Sequence, residues 1–299
     1  MNPSPPVVAA AAPLTGQKVI VTRSPDRAGA LVHALREAGA EPLLLPLIDF
    51  EAVDFSCADL AEGLYDWLVV SSITTIRALK AAARAAGHPG LAEAIPAQTK
   101  VATIGPSSRA ALEAEGVPVA LAPEGEQSAA GLASVLPRLD EQRVWLPQSD
   151  LAGSLLARKL EEAGAQLTTT IVYRTVDYPA QHRLEEPLAV STAAAEPPAA
   201  MLSAEQAREL IAQGALSAVI AASPSAAERI ADQLAPLQAV SPDGSTQTTR
   251  FIAIGGPTSR AAAARGLDVA AVAVEPTPAG IVAALKAVTA TQTALCPPG

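Results

Sequence analysis

Short apolar runs alternate with longer stretches of helical periodicity along most of the 299 residues. The runs lie at Lys18 to Thr22, Glu41 to Leu47, Asp66 to Ser71, Lys100 to Ile104, Arg143 to Leu146, Leu167 to Tyr173, Leu216 to Ala222 and Arg250 to Ile254. They are rich in Val, Ile and Leu and are continuous more often than alternating, which suits strands buried on both faces. Between them Leu31, Leu35 and Ala38, or Leu155, Leu156 and Leu160, recur at helical spacing. Such alternation predicts α/β architecture, with parallel sheets flanked by helices. Gly39 and Gly164 suit positions just past helix ends, and Ser203 with Gln206 suits a capping box. The stretch from Glu186 to Ala200, the polar loop from Ser241 to Thr249 and the tail from Thr289 onward are expected to be mobile.

Three segments each occur twice, in the order A-B-C-A-B-C. Segment A starts at Val19 and again at Val144, and both copies run from an apolar stretch through a polar turn into a helix ending at Glu-Ala-Gly-Ala. Segment B starts at Trp67 and at Ala218, so that Ser72 matches Ser223. Segment C starts at Val101 and at Phe251, and both copies lead on to an Ala-Gly pair in which Gly131 matches Gly280. Three ordered pairs imply duplication of a domain rather than a solenoid, whose period is far shorter.

Composition narrows the classes. With 49% hydrophobic and 17% charged residues the chain can bury two ordinary cores. No apolar run approaches the roughly 18 residues of a membrane helix, and no basic residue precedes the short apolar stretch near the start, so a cytoplasmic protein is expected. Cys57 and Cys296 make neither a disulfide framework nor a metal cluster, and His33, His88 and His182 are scattered. A net charge of −9 and 3% aromatic residues oppose nucleic-acid binding. An acidic chain can still take an anionic small molecule through local N–H groups and a few Arg side chains.

Parallel sheets bind ligands outside the carboxyl ends of their strands. The duplicated turns put Thr22-Arg23-Ser24, Ser71-Ser72 and Gly105-Pro106-Ser107-Ser108 there, and in the second set Pro147-Gln148-Ser149, Ser223-Pro224-Ser225 and Gly256-Pro257-Thr258-Ser259. Each precedes a helical pattern, so a Ser or Thr N-cap and an anion-binding helix N-terminus are both open. Neither a phosphate-binding Gly-x-x-x-x-Gly-Lys loop nor a dinucleotide fingerprint is present. Arg23, directly after a strand, reaches either ligand or solvent. Arg109 and Arg260 match one another and suit solvated or ion-paired roles. Tyr173 is either a neutral proton donor or an aromatic closing a strand edge.

Val-Thr-Arg at Val21, Ser-Ser at Ser71, Ile-Gly-Pro at Ile104, Val-Tyr-Arg-Thr at Val172, Ala-Ser-Pro-Ser at Ala222 and Ile-Gly-Gly-Pro-Thr at Ile254 together resemble the uroporphyrinogen-III synthase family, from Lys18 to about Val288. The resemblance implies a cofactor-independent lyase that closes the linear tetrapyrrole hydroxymethylbilane, losing water and inverting the last pyrrole ring. It also implies two similar α/β domains joined by a two-stranded connection, with the site in the cleft. Domain one would hold 17–46 and 178–289, domain two 51–173, with flexible tails at 1–16 and 290–299; the crossings would fall near Pro46 to Glu51 and Arg174 to Pro179. Carried over, Tyr173 assists departure of the hydroxyl and Ser72, Ser108, Ser223 and Thr258 line the cleft; Arg23, Ser107, Gln148 and Gly256, at the same strand ends, are expected to bind substrate with them. Gln148 stands where the family often has Arg, and the Gly255-Gly256 pair adds a glycine. The expected partners are the linear tetrapyrrole and, transiently, hydroxymethylbilane synthase, with no nucleic acid, membrane or metal and a monomeric state. The competing classes are a non-catalytic two-lobed binder of an anion and a regulatory descendant of the synthase.

Overall fold

A computed structural model describes residues 12–184, 199–241 and 243–295. The first part of the chain forms β1 (Lys18–Val21), α1 (Pro25–Glu37), β2 (Glu41–Leu44), β3 (Ile48–Ala52), α2 (Ala58–Ala61), β4 (Trp67–Val70), α3 (Ile73–Ala85), α4 (Leu91–Ala94), β5 (Lys100–Thr103), α5 (Pro106–Ala114) and α6 (Ala129–Val135). There follow β6 (Arg143–Ser149), α7 (Leu155–Glu162), β7 (Gln166–Asp177), β8 (Ala200–Met201), α8 (Ala204–Ala212), β9 (Ala218–Ala221) and α9 (Pro224–Leu234). The chain ends in β10 (Gln238–Val240), β11 (Thr246–Thr248), β12 (Arg250–Ala253), α10 (Gly256–Ala264), β13 (Val269–Val272) and α11 (Pro278–Leu295).

Two compact units result, one of Met1–Ile48 with Thr192–Gly299 and one of Asp49–Ser191. The first carries the sheet β13-β12-β9-β1-β2-β8 and the second β3-β7-β6-β4-β5. Four strands repeat in the same order, β12-β9-β1-β2 in one and β5-β4-β6-β7 in the other, and all these pairings are parallel. Each sheet thus combines one copy each of segments A, B and C. The chain leaves the first unit at Ile48–Asp49 and returns at Ser191–Thr192, the latter outside the described residues. That return lies beyond the Arg174 to Pro179 window for a visible reason. Residues after β7 turn back onto β3, where the Ala52 and Leu184 N–H groups donate to the carbonyls of His182 and Phe50 at 2.8 Å, and so stay with the second unit.

Alternate strand residues feed opposite layers. In the first unit Val19, Val21, Ile220 and Ile252 pack with α1 and α11, whereas Ile20, Val219, Phe251 and Ala253 pack with α8, α9 and α10. In the second, Leu68, Val70, Val101 and Trp145 pack against α3 and α5, and Val69, Ala102, Val144 and Leu146 against α6 and α7. Central strands β4 and β9 are buried at every residue, which is why their sequences show no alternation. The duplication extends to single bonds: Thr99 Oγ1 donates to the Tyr65 carbonyl at 2.8 Å and Thr249 Oγ1 to that of Leu216 at 3.1 Å.

Three expectations about mobile segments change. Residues 12–16 form a turn with Leu14 fully buried, because its N–H donates to the Ala38 carbonyl at the end of α1. The Ser241 to Thr249 loop contains β11, which pairs antiparallel with β10. The helix α11 continues through Leu295 instead of ending near Thr289. Of the Glu186 to Ala200 stretch, all but Ala199 and Ala200 lies outside the described residues.

Gly131 and Gly280 explain the repeated Ala-Gly pair. Each donates its N–H to a capping hydroxyl, of Ser128 or Thr277, at 3.1 Å, and a Cβ at either would collide with a backbone carbonyl, that of Glu126 or Glu275. Gly131→Ala is therefore expected to destabilise the protein by about 2 kcal/mol. Gly29→Ala, in open space on the exposed face of α1, is expected to stabilise it by about 0.5–1 kcal/mol. Urea unfolding of the two variants checks the opposite signs.

Candidate active site

A helix that follows a buried strand starts with backbone N–H groups that need acceptors. This chain meets the need in two ways. After the segment B strands a serine caps the helix: Ser72 Oγ accepts from the Thr75 N–H at 3.0 Å, and Ser223 Oγ from the Ala226 N–H at 3.1 Å. After the segment C strands the N-cap is glycine, Gly105 or Gly255, with no side-chain cap, so the first-turn N–H groups stay available to a ligand. The Ser or Thr caps expected at those two turns are thus absent. Ser24 sits at the N-cap of α1 without capping it and accepts instead from Arg27 Nε at 2.7 Å.

The register of the second Gly-Pro turn is settled by the helices. α5 and α10 begin at the same step from β5 and β12, so Gly105 matches Gly255, Pro106 matches Gly256 and Ser108 matches Thr258. The proline moves along one position without an insertion. Arg109 and Arg260 are consequently not equivalent; Arg109 pairs with Glu113 at 3.2 Å, and Arg260 is exposed. Ser108 and Thr258 are buried, whereas Ser107 is exposed.

Gln148 and Ser149 differ from expectation. They belong to β6, which runs beside β7 through a register shift between Gln148 and Ser149, and α7 begins only at Leu155. Gln148, the counterpart of Arg23, is half-buried on this extended strand rather than at a helix start. The longer β7 places Tyr173 within the strand, four residues short of its end at Asp177.

Within the first unit, Arg23 follows β1, Ser223 follows the adjacent β9, and Gly256 and Thr258 follow β12 beyond it, so these turns share one sheet edge. Thr22 Oγ1 ties the ends of β1 and β9 by donating to the Ile220 carbonyl at 2.8 Å. Arg23 is half-buried, and desolvation of its guanidinium lowers its pKa. Among the described residues it has neither a counter-ion nor a hydrogen-bond partner. A desolvated cation of this kind favours an incoming carboxylate.

Within the second unit, Tyr173 and Ser72 meet. Tyr173 is 7% exposed, its Oη lies 3.2 Å from Ser72 Oγ, and its ring takes the edge-to-face arrangement with Phe50 at 5.4 Å. Burial pushes the phenol pKa up, opposed in part by hydrogen bonding to Ser72, Ser149 and Thr75. The phenol therefore stays protonated at neutral pH. Thr75 and Ser149 are members of this cluster that the sequence did not single out as binding residues. Thr75 stands three residues after the Ser72 cap, where a side chain returns toward the cap, and that spacing is the signal for it. Ser107, Ser108 and Gln148 make no hydrogen bond to Tyr173.

The model for uroporphyrinogen-III synthase HemD matches residues 29–283. A porphyrin biosynthesis protein HemD from Ruminiclostridium josui is 32% identical over 130 residues, 40% of this chain, and the match spans 25% of that longer protein. A mutant uroporphyrinogen III synthase from the extremely thermophilic bacterium Thermus thermophilus shares the fold at a TM-score of 0.58, with 18% identity over 92% of this chain and 99% of that one. Uroporphyrinogen-III synthetase from Helicobacter pylori 26695 does so at 0.52, with 15% identity over 89% and 96%. The chain belongs to the uroporphyrinogen-III synthase family.

Replacing Arg23 by Met should leave the melting temperature unchanged or higher, since a desolvated cation without a counter-ion is removed. The same change should weaken binding of a uroporphyrin by about tenfold and flatten its salt dependence. Fluorescence titration at two ionic strengths measures this; unchanged affinity would return Arg23 to a solvated role.

Proposed function

We propose that the protein converts hydroxymethylbilane to uroporphyrinogen III, with loss of water and inversion of the terminal ring. The observation that carries this reading is the buried Tyr173 phenol held by the Ser72 cap, in a chain of this family. Tyr173 acts as the proton donor to the departing hydroxyl. As that C–O bond breaks, water leaves and the terminal pyrrole becomes an azafulvene cation, which the far end of the chain attacks. A phenol suits this step because it is neutral until its proton moves, and the proton released on ring closure restores it.

The substrate is bound chiefly by dipoles. Gly256 and Thr258 in the first unit, with Ser107 and Ser108 in the second, offer uncapped helix N-termini to its carboxylates. Arg23 supplies a cation, and Ser223 and Gln148 supply neutral polar groups. Several such contacts along a flexible tetrapyrrole bring its reacting ends together and lower the entropic barrier to closure. The reading carries with it a monomer in the cytoplasm that meets hydroxymethylbilane synthase transiently.

Supplied with enzymatically generated hydroxymethylbilane, the protein should yield mainly the type III isomer by chromatography of the oxidised products. Formation of the spontaneous type I product alone would overturn the reading. Tyr173→Phe should lower kcat by about 100-fold with product affinity retained. Since the phenol must be protonated and its pKa is raised, kcat should hold through the neutral range. It should fall only above the ordinary tyrosine value of about 10.

A further inference from the structure

Counting donors and acceptors around Tyr173 gives each hydroxyl a direction. Thr75 is fully buried in the first turn of α3, and the nearest partner of its hydroxyl is Ser72 Oγ, at 2.9 Å, with the Tyr173 phenol beyond it. A buried hydroxyl proton without an acceptor is costly, so Thr75 donates to Ser72. Ser72 Oγ also accepts from the Thr75 N–H at 3.0 Å, which fills both of its lone pairs. The proton of Ser72 is then left for Tyr173 Oη at 3.2 Å. On the other side Ser149, the register partner of Tyr173, gives its proton to the Asp150 carboxylate at 2.9 Å and accepts from the Leu151 N–H at 3.2 Å, so toward its hydroxyl neighbours, Thr175 at 3.3 Å and the phenol, it can only accept with the lone pair that remains. Tyr173 therefore accepts from Ser72 and turns its own proton away from α3, toward Ser149 until a leaving hydroxyl takes that place.

The other copy of segment B shows that capping alone does not call for this arrangement. Ser223 caps α9 with the same bond, yet the residue in the place of Thr75 is Ala226. The residue in the place of Tyr173 is Ile48. A hydroxyl at the third helical position thus occurs in the copy that faces a phenol and is missing from the copy that does not.

We propose that Thr75 is a positioning residue for proton delivery by Tyr173. Acting through Ser72, it fixes the polarity of the hydroxyl chain, so that the phenol proton points at the leaving hydroxyl and the oxygen left behind receives a hydrogen bond. This rests on the role assigned to Tyr173 above. In the step, the Tyr173 O–H bond breaks as its proton joins the leaving hydroxyl. The C–O bonding pair departs with the water formed, and the pyrrole nitrogen lone pair makes good the deficit at carbon. Thr75 and Ser72 keep their protons throughout.

Thr75→Val keeps the shape and removes the hydroxyl, Thr75→Ala reproduces the residue that the matching helix already accommodates, and Thr75→Ser restores the donor. Val and Ala should each lower kcat about fivefold to tenfold with KM within about twofold, and Ser should recover most of the loss. Titration of the Tyr173 phenol, followed by 13Cζ-tyrosine NMR and assigned with Tyr173→Phe, should move upward in the Val and Ala variants and return in Ser. Unchanged kcat and an unchanged phenol titration in both variants would overturn the role of Thr75 while leaving that of Tyr173 intact. A change confined to KM would also overturn it. Wild-type kcat in Tyr173→Phe would overturn both.

Discussion

A parallel strand buried on both faces can end only where its backbone polar groups pass to something else, and after the segment B and segment C strands of each unit that something is the start of a helix. The rest of the chemistry follows from how each handover is made. Where serine closes the turn, as at Ser72 and Ser223, the helix N–H groups are satisfied internally and the site gains a hydroxyl. Where glycine closes it, as at Gly105 and Gly255, the N–H groups stay unclaimed by any cap and the turn becomes a place for an anion. Alternation of the two solutions on neighbouring strands yields a sheet edge that both hydrogen-bonds and attracts negative charge.

This arrangement resolves the apparent mismatch between a chain of net charge −9 and the polycarboxylate substrate proposed for it. Helix termini act over the first turn and are indifferent to the sum of distant surface charges, which solvent and salt screen. Arg23 adds a full charge at the point where desolvation makes it most responsive to a partner. Net charge then bears on solubility and on which macromolecules are repelled, while affinity is decided locally.

The two copies have kept their frame and diverged in their chemistry. Strand order, the threonine bonds between strand starts and the glycines against backbone carbonyls are common to both units. The differences lie at Arg23 and Gln148, at Tyr173 and Ile48, and at Thr75 and Ala226. Packing constrains the first group, because its members fill space or satisfy buried backbone, whereas the second group borders the sheet edge and is free to specialise.

Periodicity and repetition in the sequence were enough to locate the main strands, the helices, the three doubled segments and the polar turns, because burial on both faces and helical spacing leave a local signature. Resemblance across those turns pointed to the family. The glycine caps and the true equivalence of Pro106 with Gly256 came only from the helix frames, since a dipeptide shared between copies does not reveal which residue first takes helical geometry. The continuation of β7 to Asp177 and the capture of residues 180–184 by β3 likewise depend on strand partners distant in the chain. The direction of the hydroxyl chain through Thr75, Ser72 and Tyr173 was hidden most deeply. Sequence fixes how many protons and lone pairs each hydroxyl owns, but only tertiary proximity decides which of them meet.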